Sequence, residues 1–153
     1  MTALPADTDP TDTIRHILAT ARTIAVVGLS PKPWRESFDV ARAMQAAGWR
    51  IVPVNPAAAA SGESILGERA YATLTDAAAA QRIDLVNVFR NAADVPPVAD
   101  EAIAIGAPAL WLQLGIRHDG AASKAQAAGL QVVQDRCIKT ERARLGASAP
   151  AAS

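Results

Sequence analysis

The chain has 153 residues, 50% apolar and 20% charged, with fifteen Lys and Arg against fifteen Asp and Glu. That is the length and balance of one soluble domain around one core, without the basic footprint of a nucleic-acid binder. The single Cys137 excludes an internal disulfide framework, no apolar run reaches the roughly 18–20 residues of a membrane span, and Met1–Asp12 lacks a signal-peptide core, so a reducing cytoplasm is the expected setting.

One domain is expected over 12–145, with flexible tails at 1–11 and 146–153. Thr11 or Thr13 is positioned to cap a short helix whose Ile14, Ile17, Leu18 and Ala21 form one stripe. The β-branched run 23–27 is the first strand, and it ends at Gly28. A stiff loop with Pro31 and Pro33 follows. Ser37 is a candidate N-cap, Asp39 suits the positive end of the helix dipole, and Gly48 closes the helix. Residues 49–54 are the second strand. Pro53 has no N–H for a ladder and is expected where pairing stops. Asn55-Pro56 then turns the chain.

Residues 57–72 hold no clear period and read as a loop with a small extended piece near Tyr71. Thr75 is a candidate cap for a helix over 76–81. The third strand is 83–89, and Pro96 or Pro97 opens the next helix. Strands at 109–115 and 130–133 flank an Ala-rich helix for which Asp119 is the expected cap. Residues 135–141 lead into a last short helix.

Strand and helix thus alternate, and the strands are short, apolar and largely unalternating, as in a sheet covered on both faces. The expectation is a Rossmann-like α/β fold. Its sheet would be doubly wound, parallel and five-stranded, in the order 3-2-1-4-5 with helices on both faces. Ligands of such sheets sit outside the C-terminal strand ends, where the strand order reverses. Gly28–Pro33, Asn55-Pro56, Phe89-Arg90 and Gln113–Gly115 would then surround one cleft.

The first loop is built for a phosphate, because a glycine at a strand end and a following helix N-terminus present N–H groups to an anion. It is not the dinucleotide fingerprint. Gly28-Leu29-Ser30-Pro31-Lys32-Pro33 lacks the second and third glycines, and Asn55 stands where an acidic residue would hold the ribose. No Gly-Lys-Ser/Thr follows Gly28 either. Ser30 and Ser37 supply hydroxyls, and Lys32 and Arg35 supply cations that would otherwise be ordinary solvated loop charges. Pro96 and Pro97 remove donors from the other helix start, which makes it an apolar wall rather than an anion hole.

Several segments occur together in register. They are Gly28–Pro33 with Ser37, Val54-Asn55-Pro56, Val88-Phe89-Arg90 with Val95-Pro96-Pro97, Trp111–Ile116, and Asp135–Glu141. In this combination the chain resembles the small stand-alone CoA-binding proteins, which are themselves similar to the CoA-binding domain of the succinyl-CoA synthetase α-subunit. The resemblance covers roughly 12–142. It implies coenzyme A as ligand, with Gly28, Ser30, Pro31, Lys32, Pro33 and Ser37 at the phosphates. Val54, Asn55 and Pro56 would flank adenine and ribose, and Phe89, Arg90, Val95 and Pro96 would follow the pantetheine arm. Gln113 and Gly115 would complete the floor, and Cys137 would lie near the thiol.

The synthetase also needs a phosphorylated histidine and a partner subunit. His16 and His118 lie in no such motif and read as surface residues, while Glu36, Asp94 and Glu141 read as caps. No catalytic set and no metal-ligand spacing is visible. The leading expectation is a non-catalytic protein that binds CoA or acyl-CoA, with no nucleic acid or membrane as partner. The alternative is an enzyme acting on a CoA thioester or on CoA thiol redox state through Cys137, which sits near a helix start beside Arg136. Against it stands the reading of Cys137 as an inert core cysteine. An NAD(P)-binding module is the weaker alternative.

Overall fold

A computed structural model describes residues 9–151. The expected tail 1–11 falls largely outside them. The helices are α1 (Thr11–Thr20), α2 (Glu36–Ala46), α3 (Pro56–Ser61), α4 (Leu74–Ala80), α5 (Val95–Ala104), α6 (Asp119–Ala127) and α7 (Ile138–Leu145). The strands are β1 (Thr23–Val27), β2 (Arg50–Val54), β3 (Ser64–Ile65), β4 (Glu68–Arg69), β5 (Leu85–Val88), β6 (Ala109–Leu112) and β7 (Gln131–Val133). None of the described helices is long and apolar enough to cross a membrane.

The main sheet is parallel and runs β2-β1-β5-β6-β7. Every residue of β1, β5 and β6 is buried, as the unalternating runs require. Alternate residues face two cores. Ile24, Val26, Ile51, Leu85 and Trp111 pack with α1, α2 and the start of α7. Ala25, Val27, Val52, Val86 and Leu110 pack with α4, α5 and α6. The two buried indoles donate to backbone carbonyls, Trp49 to Ala21 at 2.9 Å and Trp111 to Arg136 at 2.8 Å.

The Rossmann-like α/β class is as expected, but the strand order needs a correction. The strand expected outside β2, here β5, lies on the other side of β1, so the five strands run 2-1-3-4-5. The outer flank of β2 is taken by Tyr71 alone. Its N–H donates to Pro53 O at 3.0 Å and its carbonyl accepts from Asn55 N at 2.9 Å. This single bridge follows α3 and a β3–β4 hairpin, and α4 then carries the chain across to β5. Pro53 fits inside β2 because Arg50 N and Gly28 N mark the ladder with the first strand, whereas Asn55 N points to the opposite side. By the two-residue period, the missing Pro53 donor also faces that sparsely paired flank.

Several caps stand one or two residues from where they were expected. Thr73, not Thr75, accepts from Asp76 N at the start of α4, and Thr75 instead donates to Glu101 at 2.8 Å. His118, not Asp119, caps α6 by accepting from Ala121 N at 3.0 Å. Neither Thr11 nor Thr13 caps α1; Thr11 N and Oγ1 donate to Asp9, and these bonds hold that carboxyl below the usual carboxylate range. The segment after α7, read as a tail, returns to the body: Ala147 and Ala149 pack on the core and Pro150 O accepts from Arg22.

Candidate functional site

The parallel ladders run out into the loops at the C-terminal ends of the strands. Gly28 N donates to Val54 O, Phe89 N to Val27 O, Gln113 N to Val88 O and Arg136 N to Leu112 O. The expected site segments therefore stand side by side in one row. The switch point lies at β1, whose flanking strands β2 and β5 lead away in opposite directions.

A cleft of about 390 Å³ opens there, lined by Gly28, Ser30, Lys32, Arg35, Glu36, Ser37 and Phe89. Gly28 has φ +88, and a Cβ built on it would stand 2.3 Å from Phe89 O. Only glycine lets the first loop pass this close to the neighbouring strand. A larger hollow of about 690 Å³ lies beyond the β2 flank between α3 and α4. Half of its wall is alanine, and its one cation, Arg69, lies over the Tyr71 ring and faces two carboxylates in the same lining, Glu63 and Asp76, whereas the smaller cleft sets Lys32 and Arg35 against Glu36 alone. The smaller cleft is the one whose chemistry suits an anion.

The amides of the first loop are mostly in use. Ser30 N donates to Ser37 Oγ at 3.0 Å, Lys32 N to Ser30 Oγ at 3.1 Å and Arg35 N to Lys32 O at 3.0 Å. Pro31 and Pro33 have none to offer. Ser37 is thus not the N-cap that the pattern suggested. The N-cap lies two residues earlier, at Arg35, and the Ser37 hydroxyl braces the loop. No side chain caps α2, so its first-turn amides have neither an intrahelical nor a side-chain partner. They are the donors facing the cleft, together with the positive end of the dipole.

Other helix starts along this edge are closed. Asn55 accepts from Ala58 N at 3.0 Å to cap α3, and its Nδ2 donates to Leu29 O at 2.9 Å. Thr73 and His118 cap α4 and α6. The α5 helix opens on a 3-10 turn, Ala92–Asp94, and carries Pro96 and Pro97 in its first turn, so it is poor in donors as expected. Among the described residues, α2 is the donor-bearing start on this edge whose first amides meet no side chain; at α7 the N-cap Cys137 makes no bond, but Ile138 N donates to Gln113 Oε1 at 3.3 Å. These two starts are joined by Lys139, which donates to Asp39 at 2.8 Å.

Lys32, Arg35 and Arg90 have no ion-pair partner among the described residues. Lys32 Nζ lies 5.9 Å from the centre of the Trp34 ring, and Trp34 is 77% exposed at the rim. Pro56 is exposed at the first position of α3, and Pro96 is half-buried. Val54 and Val95, in contrast, point into the core and offer a ligand no side-chain surface. Gln113 is also buried, while Gly115 is exposed with its N–H held by Asp135 Oδ1 at 2.7 Å. Arg35, offered by the sequence as a loop cation, lines the cleft, and so does Glu36, offered as a cap; the start of α2 at Glu36 brings both there.

The Asp39 joint makes a pH prediction. Hydrogen bonds from Lys139, then Arg42, hold its carboxyl below the usual carboxylate range. A depressed folded value means that the contribution is present above the unfolded value of about 3.9 and is lost as pH falls through the folded one. The stability gap between wild type and Asp39→Asn is therefore expected at pH 7 and should shrink steadily below about pH 4. Urea titrations at a series of pH values check this; a gap that widens in acid would refute it.

The sequence profile of the family described as CoA binding domain matches residues 22–143. The chain is 40% identical over 130 residues to the uncharacterized protein YneT of Bacillus subtilis, across 85% of this chain and 92% of that one. A hypothetical protein from Pyrococcus horikoshii superposes with a TM-score of 0.82 at 32% identity, covering 95% of this chain and 98% of that one. The protein called cell-free ID.343 from Thermus thermophilus gives 0.79 at 35% identity, covering 88% and 98%. Matched along most of its length by both profile and relatives, this chain belongs to the CoA-binding domain family.

Proposed function

We propose that this protein binds coenzyme A or an acyl-CoA and does not turn it over. The observation that carries the reading is the uncapped start of α2 at the switch point, with Ser30, Lys32 and Arg35 around it. In this reading the CoA phosphates lie over the first turn of α2, between those side chains. Adenosine rests by the Asn55-Pro56 turn, and the pantetheine arm follows Phe89, Arg90 and Pro96. The donor-poor start of α5 suits that arm, since it has little for an anion and much for a weakly polar chain. The setting is cytoplasmic, and the chain forms one domain whose packed body runs from Thr11 to Pro150.

Two features weigh against NAD(P). The first loop has one glycine of the three, and both polar atoms of the Asn55 side chain are engaged, with Leu29 and Ala58. Both bonds hold the side chain on the protein's own backbone, and an amide lacks the charge with which a carboxylate would hold the ribose hydroxyls. Calorimetric titration with CoA, dephospho-CoA and NAD tests the assignment. CoA is expected to bind most tightly and NAD least, with no loss of acetyl-CoA on prolonged incubation. NAD binding as tightly as CoA would overturn the ligand, and steady thioester loss abolished by Cys137→Ser would favour an enzyme. Cys137 is half-buried at the α7 N-cap.

A further inference from the structure

Gln113 sits just after β6 and is 1% exposed. Its Oε1 accepts twice, from Asn87 Nδ2 at 3.2 Å and from Ile138 N at 3.3 Å. These two donors fix the amide orientation, because a flipped Gln113 would set N–H against N–H. The Nε2 group is left buried without a hydrogen-bond partner. It is held on the same planar amide that touches Ile138 N, so it is anchored at the start of α7.

Two kinds of donor therefore meet at one place. The first is the Gln113 amide, a buried donor whose unmet state is unfavourable. The second is the start of α7, an eight-residue helix whose first amide, Ile138 N, is taken by Gln113 Oε1 and whose following amides no side chain of the N-cap closes. Neither group can accept a hydrogen bond. The missing occupant is an acceptor, and an uncharged carbonyl oxygen meets the demand without bringing a charge into a buried place. Leu114 and Gly115 follow Gln113 and are exposed, so a short stretch of loop separates the amide from the open edge of the sheet.

Resting on the CoA reading above, we infer that the amide of Gln113 and the start of α7 form an acyl subsite that takes the thioester carbonyl, making the preferred ligand an acyl-CoA rather than free CoA. A thiol or thioether sulfur is a poor acceptor and leaves the amide unmet. The carbonyl oxygen accepts from Nε2, and the α7 dipole adds to the pull on it. Asn87, buried at 2% exposure in β5, is a positioning residue: its bond to Oε1 holds the amide in the orientation that leaves Nε2 free.

The test compares acetyl-CoA with S-ethyl-CoA, a thioether of similar size without the carbonyl, and with free CoA, by calorimetry on the full chain at one pH. Acetyl-CoA is expected to bind about tenfold more tightly than either, the worth of one well-placed hydrogen bond. In Gln113→Glu, which keeps the acceptor and removes the donor, the ratio of acetyl-CoA to S-ethyl-CoA affinity should fall to about one. In the wild-type protein the Gln113 side-chain NH₂ resonance should move with acetyl-CoA and stay with S-ethyl-CoA, a readout independent of how the variant folds. Equal affinity for all three ligands overturns the acyl subsite and leaves CoA binding intact, as expected if a buried water satisfies Nε2. A preference that survives in Gln113→Glu overturns it too. Failure of all three to bind removes the CoA reading itself.

Discussion

Gly28→Ala is expected to destabilise the fold by about 3 kcal/mol and to abolish CoA binding. Two terms add. The residue has φ +88, where an L side chain costs roughly 1–2 kcal/mol. The new Cβ would also stand 2.3 Å from Phe89 O. That atom is backbone, and the Phe89 N–H is tied to Val27 O at 2.8 Å, so the two chains cannot part without breaking the sheet where it meets the cleft. Overpacking of this kind costs about 1–3 kcal/mol. Gly115 supplies the control. Its φ is +83, but a Cβ there meets nothing within 4 Å. Gly115→Ala should therefore show the conformational term alone, about 1 kcal/mol. Urea unfolding of both variants, with CoA titration, measures the difference. If Gly28→Ala loses no more stability than Gly115→Ala, the close approach of Phe89 has no energetic consequence and the account of this turn is wrong.

The sheet was legible because its strands are unbroken apolar runs, and such runs report burial on both faces whatever their neighbours. Strand order was not, because a single bridge at Tyr71 leaves no periodic trace. The β3–β4 hairpin was hidden for a related reason. Its turn runs through Leu66 at φ +55 and Gly67 at φ +75, and a leucine there is no turn signal. Leu66 holds the strained position while packing on the core and accepting from Gln45 Nε2 at 3.1 Å. The misplaced caps have another origin: Thr73 and Thr75 are both able to cap, as are His118 and Asp119, and only the backbone decides between them.

At the site, positions were legible and availability was not. The loops that the pattern brought to one edge do stand there. Which of their groups remain free depends on bonds that no spacing encodes. Ser37 braces Ser30, Asn55 serves Leu29 and Ala58, and Val95 lies in the core. The open donors at the start of α2 emerge only when these partners are assigned. A helix with Arg35 at its N-cap looks defective as a fold element. As one wall of the proposed anion site it is coherent, because a bound phosphate would complete the cap.

The cations at that start, Lys32 and Arg35, together with Arg90 beside the proposed pantetheine path, set the second large effect. Replacing Lys32, Arg35 and Arg90 together by neutral residues, as Lys32→Gln, Arg35→Gln and Arg90→Gln, is expected to weaken CoA binding about a hundredfold. An exposed ion pair contributes up to about 1 kcal/mol and a charge-assisted hydrogen bond about 1.5–3 kcal/mol. At about 1 kcal/mol each, with Lys32 and Arg35 at the phosphates and Arg90 beside the arm, three cations give about 3 kcal/mol, slightly over a hundredfold. Folding stability should hardly change, since none of the three has an ion-pair partner to lose among the described residues. The salt dependence separates charge from shape. Wild-type affinity should fall as ionic strength rises, and the triple variant should respond much less. Dephospho-CoA separates the phosphates: if Lys32 or Arg35 reads the 3′-phosphate, its single replacement narrows the gap between CoA and dephospho-CoA, whereas a cation on the diphosphate weakens both ligands alike. A triple variant that binds CoA like wild type, with the same response to salt, would mean that the phosphates do not lie at the start of α2.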